Sequence, residues 1–164
     1  MFRYTNNRDI HQSVQCGLGC TIWAFSVLCA DVVLEANVVI GSHCFVGKGC
    51  HLGEGTRLQS FVFLPPHTQI GAYCFLGPGV ICTDDPYPTV KQPDVPLYTP
   101  NPPTIEHHAS IGAGVIILPG IHIGAYALVG AGAVVTHDVP AGAKVCGNPA
   151  RRMAGQQRTR DANL

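Results

Sequence analysis

Two adjacent carboxylates, Asp84 and Asp85, and one histidine, His67, are the side chains best placed for acid–base chemistry. A buried carboxylate can accept a proton, whereas a solvated one with a pKa of about 4 orients a cation such as an ammonium group. His67 precedes Asp85 by 18 residues, and a histidine beside a carboxylate on the next strand is the arrangement of a base and the group that orients it. Two alternatives stay open, because Asp85-Pro86 is a common turn pair and such a histidine–carboxylate pair is common on surfaces.

A strict six-residue repeat must position these side chains. Steps of six from Ile10 to Cys82, and again from Ile105 to Val135, meet only apolar residues, and small or β-branched residues prevail two positions earlier. A period of six fits neither a helix nor a plain alternating strand. It predicts short strands joined by regular corners, three to a coil, so that residues 18 apart stack at about 4.8 Å. The repeats predict an all-β solenoid of about six coils.

Composition excludes several classes of protein. Lys and Arg number 10 and balance 10 Asp and Glu, so no bulk positive charge attracts nucleic acid. The 19 glycines and 13 prolines of the 164-residue chain are too many for a helix bundle. No uncharged apolar run approaches the roughly 20 residues that span a bilayer, and the first residues lack the apolar core of a secretion signal. We therefore expect no membrane insertion and a cytoplasmic location.

The eight cysteines follow the repeat rather than a metal-binding pattern. Their spacing offers no second close pair that would complete four zinc ligands. Six of them fall on inward positions and are interpreted as reduced core residues, namely Cys16, Cys20, Cys44, Cys50, Cys74 and Cys82. Among the other histidines, His107 and His108 are expected at a solvated corner, and five are interpreted as surface residues, namely His11, His43, His51, His122 and His137. No metal site is expected.

The register breaks once, between Cys82 and Ile105, where six does not divide the separation. The interruption predicts a loop over residues 83–104 that leaves the solenoid and carries seven of the prolines. Long loops on rigid scaffolds commonly hold binding residues. We expect one β-helical domain over residues 1–153, a short C-terminal segment for which a helix stays open, and a basic tail over 154–164.

The end of the chain resembles the C-terminal pattern of the hexapeptide-repeat acyltransferase superfamily. The resemblance rests on Val-Gly-Ala-Gly-Ala-Val-Val-Thr-His-Asp-Val-Pro at 129–140, followed by Gly-Asn-Pro-Ala-Arg at 147–151, and the repeat extends it over residues 10–153. It implies a left-handed parallel β-helix, a handedness that the general crossover rule would not give. It also implies acetyl-CoA as cosubstrate, no metal, and a homotrimer with its sites between adjacent subunits.

Within the superfamily, the chain is most similar to N-acetyltransferases that act on nucleotide-linked 3-amino sugars in O-antigen and surface glycan precursor synthesis. Ile-Trp-Ala-Phe at 22–25, Arg-Leu-Gln at 57–59, Phe-Leu-Gly-Pro at 75–78 and Cys-Thr-Asp-Asp at 82–85 carry this similarity. Those enzymes typically have an asparagine beside the reacting amine where this chain has Asp84. Their Asn-Asn pair after the glutamine is replaced here by Ser60-Phe61.

The resemblance also implies a set of binding residues. For the nucleotide-sugar substrate these are Trp23, Arg57, Gln59, Ser60 and Thr83, although trimer packing stays open for Trp23 and Gln59. For the pantetheine arm and phosphates of CoA they are Gly112, Ala113, Gly130, Ala131, Asn148, Pro149, Arg151 and Arg152. Asp84, His67 and Asp85 remain the candidate catalytic residues.

Three other functions remain as alternatives. Acetyl transfer to a hydroxyl group of a sugar, a serine or an antibiotic would favour a histidine base, and His67 is the candidate. A carbonic-anhydrase-like enzyme has the same prism, and Arg57-Leu58-Gln59 weakly resembles that family. Such an enzyme needs three zinc-binding histidines, and the pattern for them is absent. A structural or ice-binding β-helix would show ordered threonine columns, which this sequence lacks.

Overall fold

A computed structural model of the chain describes residues 3–4, 9–88 and 99–153. Throughout those ranges the regular secondary structure is β-strand, arranged in three sheets that we name A, B and C. In spatial order, sheet A contains β1 (Arg3–Tyr4), β4 (Thr21–Ile22), β7 (Val39–Ile40), β10 (Arg57–Leu58), β13 (Phe75–Leu76), β16 (Ser110–Ile111), β19 (Leu128–Val129), β21 (Lys144–Cys146) and β22 (Arg151–Arg152). Sheet B contains β2 (Asp9–Ile10), β5 (Val27–Leu28), β8 (Phe45–Val46), β11 (Phe63–Leu64), β14 (Ile81–Cys82), β17 (Ile116–Ile117) and β20 (Val134–Val135). Sheet C contains β3 (Gln15–Cys16), β6 (Val33–Leu34), β9 (His51–Leu52), β12 (Gln69–Ile70), β15 (Thr104–Ile105) and β18 (His122–Ile123).

Successive strands belong to the three sheets in turn, so every third strand pairs in parallel with its predecessor one coil earlier. Arg57, for example, pairs with Phe75, the residue 18 positions later. The architecture agrees with the predicted left-handed parallel β-helix. It has about seven turns, one more than the sequence predicts, because β1 and β21 extend sheet A beyond the uninterrupted repeats.

The core follows the two predicted inward series. The second residue of nearly every strand is buried, and the largest fully buried side chains are Leu28, Leu34, Ile40, Leu52, Leu58, Leu64, Ile70, Leu76, Ile105, Ile111, Ile117 and Ile123. Inward hydroxyl groups are hydrogen-bonded within the core: Ser26 Oγ donates to the Gly41 carbonyl at 2.7 Å, and Thr56 Oγ1 to the Gly71 carbonyl at 2.8 Å. Because apolar side chains fill the core, we expect ligands to bind outside the prism.

The interpretation of the cysteines as reduced core residues is confirmed. All eight are free; Cys16 is half-buried and the other five inward ones are buried. Burial raises the pKa of the Cys50 thiol to about 11 and that of Cys82 to about 12. These thiols therefore stay protonated near neutral pH and serve as small apolar side chains. The two cysteines outside the inward series, Cys29 and Cys146, are half-buried and exposed respectively.

Four-residue corners connect the sheets, and we name them the A–B, B–C and C–A corners. The third corner residue commonly has a positive φ, including non-glycine residues such as Phe25 at 64° and His67 at 65°. Its side chain lies against the equivalent residue of the preceding turn. A Cβ on Gly49, for example, would lie 2.7 Å from Nδ1 of His67. Each corner therefore presents a column of stacked third residues along the solenoid.

Replacing Gly41 by alanine is expected to destabilise the solenoid by about 2–3 kcal/mol, because a side chain there overpacks the corner. Gly41 is the first residue of an A–B corner, and its Cβ would lie 2.5 Å from the Gln59 carbonyl carbon and 2.6 Å from the Ser60 nitrogen. Thermal unfolding measures the effect. The control is Gly142→Ala, whose Cβ meets no atom within 4 Å and adds only about 1 kcal/mol of strain at its φ of 67°. Equal losses in both variants would contradict the prediction.

The loop leaves the solenoid between β14 and β15, at a B–C corner. Its two ends are held together, because the Asn101 N–H donates to the Asp84 carbonyl at 2.9 Å and the Gly120 N–H donates to the Asn101 carbonyl at 2.7 Å. Across the loop Ile81 still pairs with Ile116 in sheet B. Residues 89–98, in the middle of the predicted loop, lie outside the described residues.

The C-terminal segment folds back onto the last turn. Strands β21 and β22 pair antiparallel, with Cys146 opposite Arg151. The helix that the sequence left open here is therefore a pair of strands as far as Met153, and the tail at 154–164 lies outside the described residues.

Candidate active site

The A–B corner changes character along the solenoid. In the first turns its third position carries Phe25, His43 and Phe61, which we name the ring ladder. Adjacent ring centroids lie 4.9 and 5.0 Å apart, with planes inclined by 26° and 19°. In the following turns the corner is residues 77–79, 112–114 and 130–132, nearly all glycine or alanine, which we name the bare corner. The backbone is thus open to a ligand along three successive turns.

The structure brings all eight predicted CoA contacts to this end of the molecule. The bare corner holds four of them, Gly112, Ala113, Gly130 and Ala131, and a Cβ on Gly112 would collide with the Ala131 backbone. The other four, Asn148, Pro149, Arg151 and Arg152, belong to the C-terminal segment. This segment is tied to the last turn, because the Gly130 N–H donates to the Val145 carbonyl and the Ala150 N–H donates to the Val134 carbonyl, each at 2.8 Å. Arg151 and Arg152 are exposed beside it.

The candidate catalytic residues lie at the B–C corner. The ring of His67 lies against Gly49, on the side of the preceding turn, and is exposed. Asp84 and Asp85 are half-buried at the start of the loop. Oδ1 of Asp85 accepts a 2.8 Å hydrogen bond from the Tyr87 N–H, which is the turn geometry that the sequence left open. In residues 9–88 no hydrogen bond or ion pair joins His67 to Asp85.

The predicted substrate contacts are divided between the corners. Trp23, Gln59 and Ser60 lie at the A–B corner, with Trp23 exposed and the other two half-buried. Arg57 projects from sheet A next to that corner and is exposed. Thr83 lies at the B–C corner, where its hydroxyl donates to the Ile117 carbonyl at 3.1 Å.

Sheet B separates the two groups of candidate residues. Its outward column begins with Asp9 and is apolar from β5 to β20, with Val27, Phe45, Phe63, Ile81, Ile116 and Val134. Phe45 and Phe63 stack at 5.1 Å, and Phe63 and Ile81 are 40% and 41% exposed. Within one chain the acid–base candidates and the bare corner therefore border opposite edges of an apolar face.

Two features of the surface escape the sequence analysis. The ring ladder is one, although rings recurring at 18-residue spacing were a usable signal. The other lies along sheet C and the C–A corner, where a groove of about 540 Å³ is lined by Glu35, His51 and Glu106 among others. His51 Nε2 lies 3.2 Å from Glu35 Oε1, and His122 Nε2 lies 3.1 Å from Glu106 Oε1. The Ala125 N–H, and then His122, hold the pKa of Glu106 below its usual value.

Near this groove, His107 and His108 form a further cluster. Their Nδ1 atoms lie 3.0 Å apart, and the His108 ring stacks on Tyr126 at 4.7 Å. Both histidines are exposed at a corner, as the sequence predicts. Among the residues that the structure describes, no three His, Cys, Asp or Glu side chains cluster so that they could hold a metal ion. The same residues include no helix long and apolar enough to cross a membrane.

Similarity to a protein family is found in the second half of the chain. Residues 102–137 match the family described as "Bacterial transferase hexapeptide (six repeats)". A 51-residue stretch is 53% identical to 2,3,4,5-tetrahydropyridine-2,6-dicarboxylate N-acetyltransferase of Staphylococcus aureus. This stretch covers 31% of this chain and 21% of that enzyme. The chain thus matches about a fifth of the length of this curated relative.

Two solved structures share the architecture. A hexapeptide-repeat acetyltransferase from Vibrio cholerae, complexed with acetyl coenzyme A, has a TM-score of 0.56 at 25% identity and covers 71% of this chain and 69% of its own. PerB from Caulobacter crescentus, in complex with CoA and GDP-perosamine, has a TM-score of 0.52 at 22% identity and covers 93% of this chain and 57% of its own. Together with the strand order and register, these matches show that residues 102–137 carry the hexapeptide repeat of the bacterial transferases and that the chain shares the β-helix fold of these two acetyltransferase structures.

Proposed function

We propose that the protein is an acetyl-CoA-dependent N-acetyltransferase acting on the amino group of a nucleotide-linked sugar. The acceptor we favour is a UDP- or dTDP-linked 3-amino sugar used in O-antigen or surface glycan precursor synthesis. The observation that carries the proposal is the bare corner, whose last two turns, at 112–114 and 130–132, end beside two exposed arginines. The 53% identity to an N-acetyltransferase in the S. aureus match supports transfer to nitrogen.

The last two turns of the bare corner, residues 112–114 and 130–132, fit the acetyl donor. An extended pantetheine arm needs a surface where backbone groups can be approached closely, and Cβ atoms on Gly114 or Gly132 would meet nothing within 4 Å. Arg151 and Arg152 supply positive charge for phosphate groups at the end of this surface. The donor supplies an activated acetyl group as a thioester.

Asp84 is the group that we assign to the acceptor amine. The neutral amine nitrogen attacks the thioester carbonyl carbon, the C–N bond forms, and the C–S bond breaks to release the CoA thiol. The nitrogen must lose one proton; the Asp84 carboxylate accepts it during attack and then passes it to the departing sulfur, so that CoA leaves as the thiol. Asp84 is half-buried at the base of the loop, where its backbone carbonyl accepts a hydrogen bond from the Asn101 N–H. Asp85 is occupied in a turn and contributes to the shape of the loop.

A complete site requires more than one chain. The B–C corner with Asp84 and the bare corner border opposite edges of sheet B, whose outward column is apolar. A homotrimer in which this face packs against a neighbour would bury the column and bring the B–C corner of one chain to the bare corner of the next. We propose this assembly as the functional unit.

Acetyl-CoA is expected to stabilise the protein against thermal unfolding. At a concentration 100 times its Kd the ligand adds about 2.7 kcal/mol, and CoA without the acetyl group is expected to act similarly through the same backbone contacts. Thermal unfolding with each ligand measures this stabilisation. An activity assay then tests nucleotide-linked amino sugars and neutral sugars as acceptors by detecting the released CoA thiol. Absence of stabilisation by every CoA thioester would contradict the proposed function.

A further inference from the structure

The ring ladder stops where the bare corner begins, and this leaves one ring face uncovered. Its members occupy the third corner position of three successive turns, and the next residue in that position is Gly79. Side chains in this position stack on the ring of the preceding turn. With glycine at 79, the face of Phe61 that points along the solenoid has no ring against it, and Phe61 is 61% exposed.

The backbone over Phe61 would accept one further ring at position 79. Gly79 has a φ of 71°, close to the 64° of Phe25 and Phe61, so the backbone continues the ladder without a change. A Cβ on Gly79 would meet only the Gly114 backbone, at 4.0 Å. The Gly79 N–H donates to the Ser60 carbonyl at 2.9 Å, which fixes the inner wall of the space over Phe61. We name it the ring slot.

Polar residues share the corner with Phe61. Gln59 and Ser60 precede Phe61 in the same corner and are half-buried, so the corner that carries the ring also carries an amide and a hydroxyl group. A planar ligand that stacks and also carries hydrogen-bonding groups on its edge is a nucleobase.

We propose that the ring slot binds the base of the nucleotide carried by the acceptor sugar, which stacks on Phe61 and extends the ring ladder by one plane. This inference rests on the proposed function. The adenine of CoA has the same chemistry, but the predicted CoA contacts begin at Gly112, a full turn beyond the slot, and lead away from it to Arg151 and Arg152. The base of the acceptor nucleotide therefore occupies the slot.

Two substitutions test the slot from opposite directions. Phe61→Ala removes the stacking face, and Gly79→Phe fills the slot with a ring that the backbone conformation accepts. The probes are UDP, dTDP and GDP, each alone, and CoA, with Kd measured by calorimetry. For a nucleoside diphosphate that binds the wild type, we expect both variants to raise the Kd of that nucleotide about tenfold or more, because base stacking on Phe61 is lost. The Kd of CoA is expected to stay within about twofold.

Matched controls lie elsewhere on the same fold. Phe25→Ala removes the ring at the far end of the ladder, and Gly142→Phe places a ring at a C–A corner where the Cβ meets no atom within 4 Å. Both are expected to leave nucleotide binding within about twofold of wild type. Native mass spectrometry of all four variants is expected to show the wild-type assembly.

Several outcomes would overturn the inference. Weakened binding of CoA but not of the nucleoside diphosphates would assign the slot to adenine, and unchanged binding of both would leave no base in it. Loss of assembly in Phe61→Ala, with normal nucleotide binding in Gly79→Phe, would make Phe61 an interface residue. A wild type that binds CoA but none of the three nucleotides would overturn the slot and leave the donor site standing, whereas failure to bind CoA would overturn the proposed function itself.

Discussion

Asp84→Asn is expected to lower kcat for acetyl transfer at least a hundredfold while changing KM little. The amide has the size of the carboxylate and retains an oxygen that can accept a hydrogen bond from the acceptor amine, but it cannot take up the proton. A general base typically contributes 10²- to 10⁴-fold to the rate. Steady-state kinetics with acetyl-CoA and a nucleotide-linked amino sugar, followed by release of the CoA thiol, separates kcat from KM.

Two neighbouring variants serve as controls for this prediction. Asp85→Asn keeps an oxygen for the Tyr87 N–H, and His67→Ala removes an exposed ring that lies against Gly49, so both are expected to stay within about threefold of wild type. The reverse pattern, in which His67→Ala abolishes turnover and Asp84→Asn does not, would contradict the assignment. It would favour the histidine base of an enzyme that acetylates a hydroxyl group.

Gly132→Phe is expected to weaken acetyl-CoA binding by about a hundredfold, which corresponds to about 2.7 kcal/mol. Gly132 has a φ of 70°, close to that of the phenylalanines in the ring ladder, and its Cβ would meet no atom within 4 Å. The ring is thus accepted by the fold and occupies the bare corner beside Gly112 and Ala113, where the pantetheine arm is proposed to lie. Calorimetry with acetyl-CoA gives the change in Kd.

Gly142→Phe is the matched control for the blocked corner. Gly142 has the same open surroundings and a φ of 67°, but it lies at the C–A corner, away from the proposed donor site. Its Kd for acetyl-CoA is expected to equal that of wild type. Its unfolding temperature is expected to equal that of Gly132→Phe, so that a difference in binding cannot come from a difference in stability. Wild-type affinity in Gly132→Phe would show that acetyl-CoA does not follow the bare corner.

The repeat made much of the fold predictable. Core residues recur every six positions, so a buried cysteine such as Cys50 could be assigned to the interior without knowledge of its neighbours. The position of the loop was equally clear, because the break in the period is an arithmetic property of the sequence. The strands of the C-terminal segment were not predictable, since β21 and β22 lie outside the sixfold pattern and pair antiparallel.

Surface features were less predictable than the core. The sequence predicts only that His43 is a surface residue, whereas the structure places it between Phe25 and Phe61 in the ring ladder. Its environment depends on residues 18 positions away in both directions, which only the closed turn brings into contact. Stacking by 18 residues places His67 between Gly49 and Asp85, and the structure shows its ring against Gly49 because side chains at this corner position lean toward the preceding turn.

The sequence by itself determined the cross-section of the molecule, because an apolar period of six requires short strands around a filled core. Only the tertiary structure decided where the candidate site residues stand relative to one another. Across the loop the paired residues in sheet B are 35 positions apart instead of 18, and Asp84 comes to lie at one edge of sheet B with the bare corner at the other. The period fixes which side chains point inward, whereas the neighbours of an outward side chain depend on chain closure and on the packing of whole faces.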